Sequence, residues 1–171
     1  MTATVPNGLA PKAPNPAPWV ELQQSLPSRI VMISPFVDQL MQFLKVFIGR
    51  YHGAAESALD IEISLREALA NAMIHGNREN PVKMVHVAAR CSMNGEVSIT
   101  VEDEGEGFDD AALPDPTDPA RKLLTHGRGI YLMRALMDEV SFEQNGTIVR
   151  LQKRLRETVL PINCARLQRS L

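Results

Sequence analysis

Two Asn-Gly dipeptides, Asn94-Gly95 and Asn145-Gly146, each lie between runs that alternate apolar with polar residues, and nothing else in the chain constrains the fold as tightly. Asn-Gly is the strongest short-range hairpin signal, because a two-residue turn of the right twist needs φ > 0 at its central positions. Around the first dipeptide, residues 82–90 read as a strand and 96–102 as its return. Val97, Ile99 and Val101 alternate with Ser98, Thr100 and Glu102, which predicts one buried and one polar face. Around the second, residues 140–144 and 147–154 repeat the pattern. Residues 19–26 read as an edge strand and 29–34 as a second short extended piece.

Three segments follow a helical period instead. Residues 36–50 carry Phe36, Val37, Leu40, Met41, Phe43, Leu44, Phe47 and Ile48, behind Ser34 as a cap and Pro35 in the first turn. Residues 54–75 form a second helical region, with a break expected near Asp60 and a stop at Gly76. Residues 128–137 form a third. Two hairpins interleaved with three helices predict an α+β fold: a two-layer sandwich, with a mixed, mostly antiparallel sheet and about three helices on one face. Residues 1–18 hold prolines at 6, 11, 14, 16 and 18 and read as a flexible Pro/Ala-rich arm, 19–155 as one domain, and 156–171 as a tail.

Composition narrows the function classes. A formal net charge of -2 supplies no overall field toward nucleic acid or anionic lipid. Cys91 and Cys164 are far apart, without CxxC spacing or a nearby His, so neither a disulfide framework nor a zinc site is expected. No basic-then-apolar leader is visible, and no run is expected to reach the roughly 18 apolar residues of a membrane span. The expectation is a cytoplasmic protein. Trp19 reads as a packing anchor, and His52, His86 and His126 as residues without metal spacing.

Three constellations carry chemistry. Glu67, Asn71 and His75, spaced by four, form one row on an otherwise mostly apolar helix. Asn71 offers an oxygen suited to Mg²⁺, and Glu67, one turn away, a base for a hydroxyl attacking a terminal phosphate. Asp103, Gly105 and Gly107 follow a strand directly. There a carboxylate can accept from an adenine amine, and the glycines let backbone approach a flat ligand. Gly127, Arg128 and Gly129 open a helix, where exposed N–H groups and the helix dipole favour phosphate. Singly, these also read as a polar helix end, an acidic turn and a helix entry shaped by packing.

Taken together and in this order, the blocks at 67–77 (EALANAMIHGN), 103–108 (DEGEGF) and 127–138 (GRGIYLMRALMD), with Gly146-Thr147 before the last strand, resemble the GHKL ATPase superfamily. Within it they are most similar to the anti-sigma-factor serine/threonine kinases, over about residues 22–153. The resemblance implies the Bergerat ATP-binding fold and the cofactors ATP and Mg²⁺. It implies Glu67 as general base, Asn71 as metal ligand, and His75 with Arg128 among the nucleotide-binding residues. It further implies Asp103 on adenine in a pocket shaped by Gly105 and Gly107, and Gly127 and Gly129 over the phosphates. Thr147 would support Asp103 or the base, and residues 109–126 would form a lid. Some kinases of that group place an arginine just before the second glycine motif; Leu124-Thr125-His126 stand here instead, with Arg121 and Arg128 nearest.

The implied activity is phosphorylation of a serine or threonine on a STAS-type anti-sigma-factor antagonist, coupled to sequestration of a sigma factor, with a homodimer as assembly. A module that captures its partner without phosphotransfer is the alternative. A histidine-kinase catalytic domain fits less well, since no phospho-acceptor helical hairpin is visible upstream.

Overall fold

The computed structural model describes residues 18–107 and 128–156. Period-two alternation sorts the strands into a single five-stranded sheet: β1 (Trp19–Pro27), β2 (Met84–Ser92), β3 (Glu96–Asp103), β4 (Glu139–Glu143) and β5 (Ile148–Arg154). The order across the sheet is β1-β2-β3-β5-β4, and every ladder is antiparallel. Val85, Val87, Ala89, Cys91, Val97, Ile99, Val101, Val149 and Leu151 all point inward and are buried. The opposite face stays wet, as antiparallel sheets permit. Arg90 pairs there with Glu21 at 3.1 Å and Arg150 with Glu143 at 3.1 Å, each across neighbouring strands. Both Asn-Gly sites join hairpin strands, but through loops of three and four residues rather than two, and at the first only Gly95 is left-handed. The second uses three consecutive left-handed residues, Gln144, Asn145 and Gly146.

The helices α1 (Ile33–Ile48), α2 (Ala54–Ala70) and α3 (Arg128–Leu136) cover the apolar face. Leu40, Leu44 and Ile48 of α1 meet Ile61, Leu65 and Leu69 of α2 in a core where none of these side chains is more than 1% exposed. Arg66 ties α2 to α1 through the Ser34 hydroxyl at 3.2 Å. Lys153 of β5 reaches Asp60 at 2.9 Å and the Leu136 carbonyl at the end of α3, so one cation joins two helices to the sheet.

Four expectations change. Residues 29–34 are not extended: Ile30–Met32 form a 3₁₀ turn leading into α1, whose β-branched residues copy strand composition while facing water, Val31 at 78% exposure. Ser34 does not cap α1; Met32 holds that position without a side-chain bond, and Ser34 lies inside the first turn facing Arg66. Asp60 does not interrupt α2, because Lys153 satisfies its carboxylate within a continuous helix. Trp19, on the wet side at the end of an edge strand, is 42% exposed rather than a packing anchor. In addition, Ile30–Ile48 is long and apolar enough by composition to cross a membrane, with a mean hydropathy of 1.4. Its apolar stripe of Phe36, Val37, Leu40, Met41 and Leu44 is spent on the core. The expected arm, up to residue 17, and the tail beyond 156 lie outside the described residues.

Candidate functional site

The helix bearing Glu67 does not end as an α-helix. Ile61, Leu65, Ala68 and Leu69 bury one side of α2 and leave Glu67 and Asn71 half-buried on another. From Asn71 to Gly76 the backbone then widens into a π-helical turn, closed by the Asn77 N–H on the Ala72 carbonyl at 2.8 Å. Single π turns of this kind recur at functional sites, since they re-aim side chains without breaking the helix. Here the widened turn carries Asn71 and His75 to the rim of a cavity of about 220 Å³ and brings Gly76 against the end of β3.

Asp103 closes β3 and faces that cavity. A Cβ added at Gly76 would fall on the Asp103 carboxylate, and one added at Gly105 would fall on the Gly76 carbonyl oxygen, so only glycines admit this approach. Three successive amides fix the loop. The Asp103 N–H donates to the Thr147 carbonyl at 3.0 Å, the Glu104 N–H to Asn77 Oδ1 at 3.0 Å, and the Gly105 N–H to Asp103 Oδ1 at 2.8 Å. Burial pushes the Asp103 carboxyl above its ordinary pKa, against the opposing pull of the Gly105 N–H and the Lys83 charge. Gly107 takes φ +77° directly beneath the Asn145 carbonyl, another place with no room for a side chain.

The start of α3 completes the arrangement. A Cβ on Gly129 would stand 2.5 Å from Glu67 Oε2 and 3.5 Å from Asn71 Nδ2, which places the first turn of α3 directly over the carboxylate. Arg128 is exposed at the first position of that helix. Thr147 lines the cavity and supports Asp103 through its backbone carbonyl, while its hydroxyl turns back to the Gln144 carbonyl at 3.0 Å. Ile130, Met133, Phe142, Val101 and Val149 supply an apolar wall suited to a flat heterocycle. Gly127, Phe108, the expected lid and the arginine-lacking neighbourhood at 124–126 lie outside the described residues.

Sequence reasoning thus finds the polar members, and Glu67, Asn71, His75, Asp103, Gly107, Gly129 and Thr147 do come together. It misses the apolar wall, because Met133 and Phe142 look like ordinary core. It also misses Asn77, which is 1% exposed and donates from Nδ2 to the Met84 carbonyl at 2.8 Å. Its partners lie 7 and 27 residues away, and only its place directly after the terminal glycine of the motif marked it. Among the described residues no group of three His, Cys, Asp or Glu converges on a metal position. A hard cation here would draw on the single amide oxygen of Asn71 together with ligand phosphates and water, the usual donor set for Mg²⁺.

Comparison with known proteins gives concordant results. Residues 36–153 match the model of the histidine kinase-like ATPase domain. The chain is 44% identical over 131 residues to an anti-sigma F factor of Heyndrickxia coagulans, covering 73% of this chain and 81% of that protein. It is 28% identical over 109 residues to the serine-protein kinase RsbW of Oceanobacillus iheyensis, covering 60% and 68%. It is 33% identical over 119 residues to an anti-sigma F factor of Clostridium perfringens, covering 66% and 83%.

Proposed function

Because this chain belongs to the histidine kinase-like ATPase domain family, we propose that it is an ATP-dependent protein serine/threonine kinase of the anti-sigma-factor type. In this reading it binds Mg-ATP, sequesters a sigma factor and phosphorylates a STAS-type antagonist in the cytoplasm, working as a homodimer. One observation carries the proposal: Asn71, Asp103 and Gly129, from three separate stretches of chain, line one cavity, with Glu67 directly against Gly129 and glycines at the closest approaches.

The residues divide the work by their chemistry. Asp103 accepts from the exocyclic amine of adenine, with its own carboxylate oriented by the Gly105 N–H. The apolar wall around Ile130 and Met133 takes the faces of the base. Arg128 and Gly129 lie at the positive end of α3, where backbone N–H groups offset phosphate charge, and Gly127 joins them on the strength of the motif. The Asn71 amide oxygen is the protein's ligand to the metal, and His75 flanks it on the same turn. Bound Mg-ATP supplies an electrophilic terminal phosphoryl group. Glu67, half-buried beneath Gly129, takes the proton of the incoming serine or threonine hydroxyl.

The test is phosphotransfer from labelled ATP to a STAS-type antagonist. Glu67→Ala should lower the rate by about 10²-fold or more while nucleotide uptake measured by calorimetry persists. Undiminished transfer by Glu67→Ala would remove the assigned base. Correctly folded protein that takes up no ATP with Mg²⁺ supplied would overturn the whole reading.

A further inference from the structure

We propose that Asn77 and Glu104 are positioning residues that set the preference for adenine, by closing a ring of hydrogen bonds behind Asp103. The ring has three members. Asn77 Nδ2 donates to the Met84 carbonyl at 2.8 Å, the Met84 N–H donates to Glu104 Oε2 at 2.9 Å, and the Glu104 N–H donates to Asn77 Oδ1 at 3.0 Å. Each residue gives one bond and receives one, and the three stand directly after the π turn, at the first position of β2 and in the loop after β3. This inference rests on the reading of Asp103 as the adenine acceptor.

The ring matters because of what it holds. The loop over the base is positioned by three consecutive amides, and the ring owns the middle one. On one side the Asp103 N–H is pinned to the β4–β5 turn at Thr147. On the other, the Gly105 N–H reaches only as far as Asp103 itself, so it orients the carboxylate but cannot anchor the loop. The peptide joining Asp103 to Glu104 is therefore tied to the helical layer through Asn77. Gly76, against which the carboxylate packs, is the residue before it. Release of Asn77 Oδ1 frees the Asp103–Glu104 peptide to swing, which shifts the Gly105 N–H that orients the carboxylate and lets that carboxylate leave the plane of the base. Asn77 is buried, so an amide here meets both neighbours at fixed distance. Neither Asn77 nor Glu104 lines the cavity, and both act through Asp103.

The experiment compares ATP with purine riboside triphosphate, the analogue lacking the exocyclic amine, each titrated with Mg²⁺ into the full chain by calorimetry. Wild type should prefer ATP by about tenfold or more, the worth of a charge-assisted bond. Asn77→Ser and Glu104→Ala should bring that ratio to about twofold, chiefly by weakening ATP. Glu104→Gln should restore it, since its side-chain oxygen still accepts the Met84 N–H. Glu104 is exposed, so its variants test the idea even where Asn77→Ser does not fold. Equal weakening toward both nucleotides, or an unchanged ratio in Glu104→Ala, overturns the positioning role while leaving Asp103 as acceptor. A wild type that binds both nucleotides equally takes the adenine reading down with it.

Discussion

At the scale of single residues, Asp103 holds a charge in a place that resists one. Burial raises its pKa, with the Gly105 N–H and Lys83 opposing the rise. A carboxyl whose folded pKa exceeds its unfolded value binds its proton more firmly in the folded state. Its contribution is present in full below the unfolded pKa and is lost as pH rises through the folded one, where the charged form bears the desolvation of the site. Asp103→Asn, which keeps an acceptor for the Gly105 N–H, is therefore expected to melt at a higher temperature than wild type at neutral pH. The same change should weaken ATP by about tenfold or more, because the amide accepts less strongly from the base. Wild-type ATP affinity should also fall as pH drops through the raised pKa, relative to the Asn variant titrated in parallel. Identical pH profiles for the two proteins would show that Asp103 is not the group sensed.

At the scale of elements, the π turn at Asn71–Gly76 is the part that brings motif to motif. Gly76→Ala puts a methyl onto the Asp103 carboxylate, a side chain that the Gly105 N–H holds in place. Its expected cost is about 1–3 kcal/mol, readable as a lower urea midpoint at unchanged slope, with ATP affinity reduced in the surviving fold. Both hairpins were legible because Asn-Gly and period-two alternation are local signals, decided within ten residues. The polar site residues were legible through their motifs. The π turn was not: Asn71, Ala72, Met73 and Ile74 keep a helical pattern, and only a shift of bonding by one residue, as from Asn77 to Ala72, separates π from α. Ile30 and Val31 misled for a related reason, since β-branched residues signal strands while the chain needed only one tight turn before α1. Asn77 and Glu104 carry no local signal, because what they do depends on neighbours far along the chain.

At the scale of the molecule, the site is assembled from the 67–77 stretch, the 103–107 loop, the start of α3 and the turn before β5, so a ligand bridging them binds the folded state alone. Mg-ATP at a hundredfold excess over its Kd should add about 2.7 kcal/mol, or roughly 5–10 °C in Tm for a domain of this size. Chelating the metal before adding ATP should erase most of that shift; equal Tm values with and without nucleotide would mean the stretches do not share a ligand. The sheet has a different consequence, played out on the ribosome. β1 pairs with β2 in the register Trp19↔Ser92 to Pro27↔Met84, so β1 must await its mate about 60 residues later, several seconds at roughly 5–20 residues per second of translation. Glu21, Gln23 and Gln24, followed by Pro27, make it a poor template for neighbouring nascent chains on a crowded polysome during that delay.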